Sequence, residues 1–117
     1  MATITVRMTT PPYQGISAQD GLDFAMAATN YGHEVQILFE GEGVAQLAGQ
    51  LTPPTGMKSH TKRLKALPFF DIEELYYCTQ SAQARLTDGQ SLAVAAEPLS
   101  ADGVKELMNS SDHIVTF

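Results

Sequence analysis

The strongest constraint on the fold is a strand, a helix and a second strand packed into the first forty residues. Ala2 to Met8 alternates Thr and Arg with Ile4, Val6 and Met8, the period-two pattern of a strand. Thr9-Thr10-Pro11-Pro12-Tyr13-Gln14-Gly15 then breaks it, because proline cannot donate to a ladder and glycine permits a turn. Ser17, with Asp20 three residues on, resembles a capping pair opening a helix to about Tyr31. Leu22, Ala25, Met26 and Thr29 recur at helical spacing, and Gly32 is the stop. Val35 to Phe39 is a short β-prone run. Two strands joined by a crossover helix pair in parallel, and a parallel sheet is buried on both faces. The remaining sequence must therefore extend the sheet and cover it.

It supplies three more strands. Glu40-Gly41-Glu42-Gly43 ends the second strand and leads into a short helix over Val44 to Ala48. Pro53, Pro54 and Gly56 mark a loop. From Met57 to Leu67 the apolar positions Met57, Leu64 and Leu67 share a helical stripe, while Lys58, Lys62 and Lys65 fall on another face. Leu75-Tyr76-Tyr77 suits a buried strand, and Ser81 to Leu86, rich in Ala, Gln and Arg, suits a helix, so Cys78 sits at their junction. Asp88-Gly89 reads as a turn, Ser91 to Ala96 as a fourth strand, and Glu97-Pro98 as its stop. Ser100 caps a last helix, with Leu99 and Val104 placed as a hydrophobic staple, and His113 to Phe117 forms a fifth strand. Five strands alternating with helices give a three-layer α/β/α sandwich around a five-stranded parallel sheet, expected as a single domain over residues 1–117.

Composition narrows the function classes. A chain that is 44% apolar and 17% charged has the make-up of a compact globule. Its net charge of −6 argues against a free-standing nucleic-acid binder, which needs a basic surface. Four of the seven basic residues cluster at Lys58, Lys62, Arg63 and Lys65, which reads as a solvated helix face ahead of a docking patch. No apolar run approaches a membrane span and no signal-type segment opens the chain, so a cytoplasmic location is expected. Gly15 stands alone, without the glycine spacing of a dinucleotide or nucleoside-triphosphate cradle. Three scattered histidines and one cysteine show no metal-ligand spacing. No cofactor and no metal are expected.

The one candidate for chemistry is Cys78. Unpartnered backbone N–H groups and the macrodipole at a helix start favour an anion, which makes Cys78 a candidate nucleophile or sulfur carrier, a possible persulfide site; the alternative is a small buried hydrophobe. In parallel sheets, ligands collect at the carboxyl ends of the strands, at a switch point in strand order. Cys78, the Thr9 to Gly15 loop and Glu40 to Glu42 are expected at that edge, with His33 and His113 at the opposite one. A cysteine–histidine hydrolase would need a histidine beside the thiol, and none is placed there. Glu73 and Glu74, like Glu40 and Glu42, read as solvated carboxylates, and Tyr76 and Tyr77 as sheet packing.

These residues match a known family. The order of elements, Pro12-Tyr13 with Gly15 in the first loop, Gly32-His33-Glu34-Val35, Gly41-Glu42-Gly43-Val44 and Cys78 at a strand-to-helix junction resemble the DsrE/DsrF/DsrH family over the whole chain. Phe70-Asp71-Ile72-Glu73, Glu97-Pro98-Leu99 and the ending in Phe117 look most like its C-type, DsrF-like subunits. The resemblance implies a heterohexamer with B-type and D-type subunits that passes persulfide sulfur from a TusA-like donor to a TusE-like acceptor, toward 2-thiouridine at the tRNA wobble position; in sulfur oxidisers the counterpart serves sulfur trafficking. It also implies that the working cysteine belongs to the D-type subunit, in a pattern Cys-x-x-x-Ala-x-x-Arg-Gly. Cys78, Ala82 and Arg85 match that pattern, whereas Leu86 stands where glycine is usual, and Gln14 lengthens the first loop. The expected role is a noncatalytic structural partner of the D-type subunit. The alternatives are a carrier using its own Cys78 and, outside sulfur chemistry, a flavodoxin-like small-molecule binder.

Overall fold

The computed structural model describes residues 2–48, 53–86 and 92–117. Five parallel strands form one sheet in the order β4-β3-β2-β1-β5, where β1 is Thr3–Met8, β2 Glu34–Phe39, β3 Glu74–Cys78, β4 Glu97–Leu99 and β5 His113–Thr116. The register runs from Thr3 opposite Glu34 to Met8 opposite Phe39, and from Gln36 opposite Glu74 to Phe39 opposite Tyr77. On the outer sides, Ile4 faces His113 and Cys78 faces Leu99.

Alternation along the strands sorts the side chains onto two unlike faces. Ile4, Val6, Met8, Val35, Ile37, Phe39 and Leu75 pack with Leu22 and Ala25 of helix α1 (Ser17–Asn30) and with Leu64 of helix α2 (His60–Ala66). The opposite face presents Thr5, Gln36, Leu38 and Cys78, where Val104 of helix α4 (Ala101–Asn109) closes on Leu38 and Cys78. Helix α3 (Thr79–Arg85) follows β3 directly.

Several element boundaries depart from the sequence expectation, each for a local reason. Ile16, not Ser17, is the N-cap of α1, and it makes no side-chain cap; Ser17 is already in the first turn, so the capping pair with Asp20 does not form. Gly32 does stop the helix, with φ of 85° and its N–H on the Thr29 carbonyl. Gly41–Leu47 is a 3-10 helix. Helix α2 starts at His60 instead of Met57, because the Ser59 hydroxyl accepts from the Lys62 N–H. The fourth strand is Glu97–Leu99, the segment expected to end it; among residues 92–96 only Leu92 makes a bridge, antiparallel to Ala48. Pro98 is tolerated there because β4 is an edge strand with no neighbour to receive the missing donor. Ser91 and the Asp88-Gly89 turn lie outside the described residues. Ser100 caps α4 by accepting from the Gly103 N–H, and Leu99 packs in the same cluster as Val104, as a staple requires.

Candidate functional site

The carboxyl edge of the sheet gathers the expected elements. Cys78 ends β3, the 9–15 loop follows β1, and Glu40 and the 3-10 helix follow β2, while His113 begins β5 and His33 immediately precedes β2 at the other edge. The His33 Nδ1 there accepts from the Ala2 N–H at 3.2 Å. Strand order reverses at β1, which has β2 on one side and β5 on the other. Cys78 is two strands from that reversal, so the thiol and the switch point do not coincide.

Two tight contacts lock this edge. A Cβ on Gly43 would sit 2.0 Å from the Met8 carbonyl oxygen, so only glycine lets the turn after β2 lie against the end of β1. The Gly41 N–H donates to the Ser81 hydroxyl at 2.8 Å, which ties α3 to the same turn. Glu40 pairs with Arg7 on β1, and Arg85 lies 3.8 Å from Glu42. Thr79 donates its hydroxyl to the Leu99 carbonyl at 3.2 Å, fixing the start of α3 over β4.

Cys78 itself is 8% exposed, against Leu38 and Val104, with Tyr76, Leu99, Leu107 and Met108 packed around them. Its backbone occupies the N-cap position of α3 without a side-chain cap. The side chain thus sits in an apolar pocket under α4, and Arg85, the cation of the family pattern, is directed to Glu42. On the same strand, burial, and after it the Glu74 and Glu97 carboxylates, raise the Tyr76 phenol above its usual range and keep it protonated.

Across the sheet, on the α1 side, a polar cluster forms that the sequence did not show. His60 is 5% exposed, and its Nε2 lies 2.7 Å from the Gln46 Oε1; the Gln46 amide nitrogen donates to the Thr10 carbonyl at 2.9 Å. The Thr10 carbonyl fixes the amide orientation, so the proton is on His60 Nε2. The His60 N–H donates to the Tyr13 hydroxyl at 2.8 Å, and the two rings meet edge-on. Burial, reinforced by the Arg63 charge, lowers His60 to about 4, so the imidazole is neutral at pH 7. This cluster fastens the 9–15 loop, whose Tyr13 adopts φ of 66°, to α2 and the 3-10 helix, beside a cavity of about 310 Å³ that Lys58 and Arg63 also line. Arg63 pairs with Asp23, and Lys58, Lys62 and Lys65 are exposed, which fits a solvated face. The only hint in the sequence is Gln46, a polar residue inside the apolar run Val44 to Ala48. Among the described residues no group of three or more histidine, cysteine or acidic side chains converges as a metal site.

The fold and this edge define a three-layer α/β protein with a cysteine at a strand-to-helix junction. A solved structure, that of the ychN protein of Escherichia coli, superposes over 100% of both chains with a TM-score of 0.83 at 18% identity, which establishes the shared fold. The chain belongs to the DsrE/DsrF-like family, whose model matches residues 2–117. It is 30% identical to a TusC homolog of Vibrio vulnificus and 30% identical to TusC of Escherichia fergusonii, in both cases over 100% of each chain. A TusC homolog of Pseudomonas aeruginosa is 33% identical over 91% of this chain and 90% of the relative. The C-type likeness drawn from the residues alone is borne out by these names. No helix among the described residues is long and apolar enough to cross a membrane.

Proposed function

We propose that this chain is a cytoplasmic, single-domain, C-type subunit of a sulfur relay leading to tRNA wobble-uridine 2-thiolation, and that it serves as a noncatalytic structural partner of a D-type subunit. The observation that carries the noncatalytic role is the burial of Cys78, which is 8% exposed and packed with Leu38 of the sheet and Val104 of α4, so little of the side chain is open to an incoming persulfide. Persulfide transfer needs an in-line approach: an acceptor thiolate attacks the outer sulfur, a new S–S bond forms, the old S–S bond breaks, and the donor leaves as a thiolate. In the heterohexamer with B- and D-type chains, that exchange runs between a TusA-like donor, the D-type cysteine and a TusE-like acceptor, and this chain holds the D-type subunit in its working arrangement.

A second reading, that Cys78 carries sulfur itself, is favoured by its place at the carboxyl end of β3 immediately before α3. Intact mass separates the two. The wild-type chain and a Cys78→Ser variant are mixed with B- and D-type chains and exposed to a persulfidated donor. Added sulfur of about 32 Da appearing only on the D-type chain, with transfer unchanged in the variant, is the expected result. The same mass on this chain, lost in the variant, assigns the carrier role to Cys78.

A further inference from the structure

At the amino edge of the sheet, far from Cys78, three aromatic side chains stand in solvent. Phe69 is 88% exposed and Tyr31 83% exposed, and Phe70 is exposed as well. Single apolar residues on a surface need no explanation, but these flank one feature. Tyr31 precedes Gly32, and Phe70 precedes Asp71; Gly32 and Asp71 both line a hollow of about 410 Å³. Four exposed carboxylates, Glu34, Asp71, Glu73 and Glu74, also line it, and no lysine or arginine does.

The aromatics are held outward by the backbone. Pro68 sits in the first turn of the 3-10 helix Leu67–Phe70, and Asp71, at φ of 63°, ends it. The Asp71 N–H bonds to the Pro68 carbonyl, and the Ile72 N–H to the Leu67 carbonyl. Leu67 and Ile72 are fully buried on either side of the turn. The two anchors fix the segment between them, so Phe69 is presented without freedom to fold back onto the core. A pre-ordered aromatic inside a polar rim has the anatomy of an interface anchor.

We propose that this amino-edge surface docks a partner protein that offers a shallow apolar pocket for Phe69 and Tyr31, ringed by lysine or arginine side chains that meet Glu34, Asp71, Glu73 and Glu74. The proposal rests on the reading that the chain works in a heteromeric assembly, and it names the surface and the partner chemistry. Charge selects the occupant: the four carboxylates repel the same acidic face of a second copy, whereas a basic rim is attracted.

The test places the photo-crosslinker benzoylphenylalanine at position 69 of the full chain, co-expressed with its B- and D-type subunits, and maps the linked peptide by mass spectrometry. The expected link is to a B- or D-type chain, beside lysine or arginine. In parallel, Phe69→Ser and Glu73→Lys, both at solvent-exposed positions, are expected to weaken recovery of that partner on the order of tenfold each, with the circular dichroism of the isolated chain unchanged. Assembly of the three chains without a link from position 69, or a link only to another copy of this chain, overturns the surface and leaves the assembly reading intact. Failure of the wild-type chain to assemble with B- and D-type subunits overturns both.

Discussion

The two faces of the sheet are built on different principles. On the α1 side, Val6, Met8, Ile37 and Phe39 lie fully buried beneath Leu22 and Leu64, a continuous apolar core. On the α4 side, among the described residues, only Leu38, Cys78 and Val104 form the buried cluster, and the neighbouring ground is polar: the Gln36 amide donates to the Thr5 hydroxyl at 2.9 Å, and Thr5 bonds in turn to Ser111. Apolar burial stabilises in proportion to area, at about 25 cal/mol per Å², whereas a buried hydrogen bond contributes about 1 kcal/mol net. The α1 face therefore carries most of the stability. The α4 face fixes how α4 sits over Cys78.

The largest test of this contrast is Phe39→Ala. It removes the bulkiest fully buried side chain from the α1 face and is expected to cost about 3–5 kcal/mol in urea denaturation. A loss under about 2 kcal/mol would mean that the two faces share the load.

Acid should weaken the α1 side next, through His60. Its value is about 4 in the folded protein and about 6.5 in the unfolded chain, so between those pH values the unfolded chain binds more protons. The contribution is complete above pH 6.5 and disappears as pH falls toward 4. Between pH 7 and pH 4 the wild type is expected to lose about 3 kcal/mol more than a His60→Gln variant. Parallel pH profiles for the two proteins would remove His60 from the account.

The smallest effect belongs to the α4 face. Gln36→Ala removes the donor to Thr5 and is expected to cost about 1–2 kcal/mol. A cost equal to that of Phe39→Ala would erase the distinction between the faces.

The contrast also explains what could be read from the residues. Strands β1, β2, β3 and β5 were legible because alternating apolar side chains and β-branched runs are local signals, and the helix after Ser100 was legible because its cap and staple lie within five residues. The fourth strand was misplaced onto Ser91 to Ala96. Its pattern is strand-like and Pro98 looks like a breaker, but an edge position makes that proline acceptable, and strand order cannot be seen along the chain. The cysteine was placed correctly at the end of β3. What α4 does to it was not visible, because Val104 reaches Cys78 only through the packed fold. The His60–Gln46–Thr10 cluster escaped for the same reason: its members come from three separate loops and helices and follow no period.

Pro98 has one more consequence. Both flanks of a parallel sheet are templates for further pairing, and runaway pairing is how soluble sheets turn into fibres. Here β4 is three residues long, with a residue at its centre that has no hydrogen to offer, whereas β5 is a regular four-residue run. One flank is blunted by chemistry and the other is left whole, so edge-to-edge growth lacks the second competent end that an endless ribbon would require.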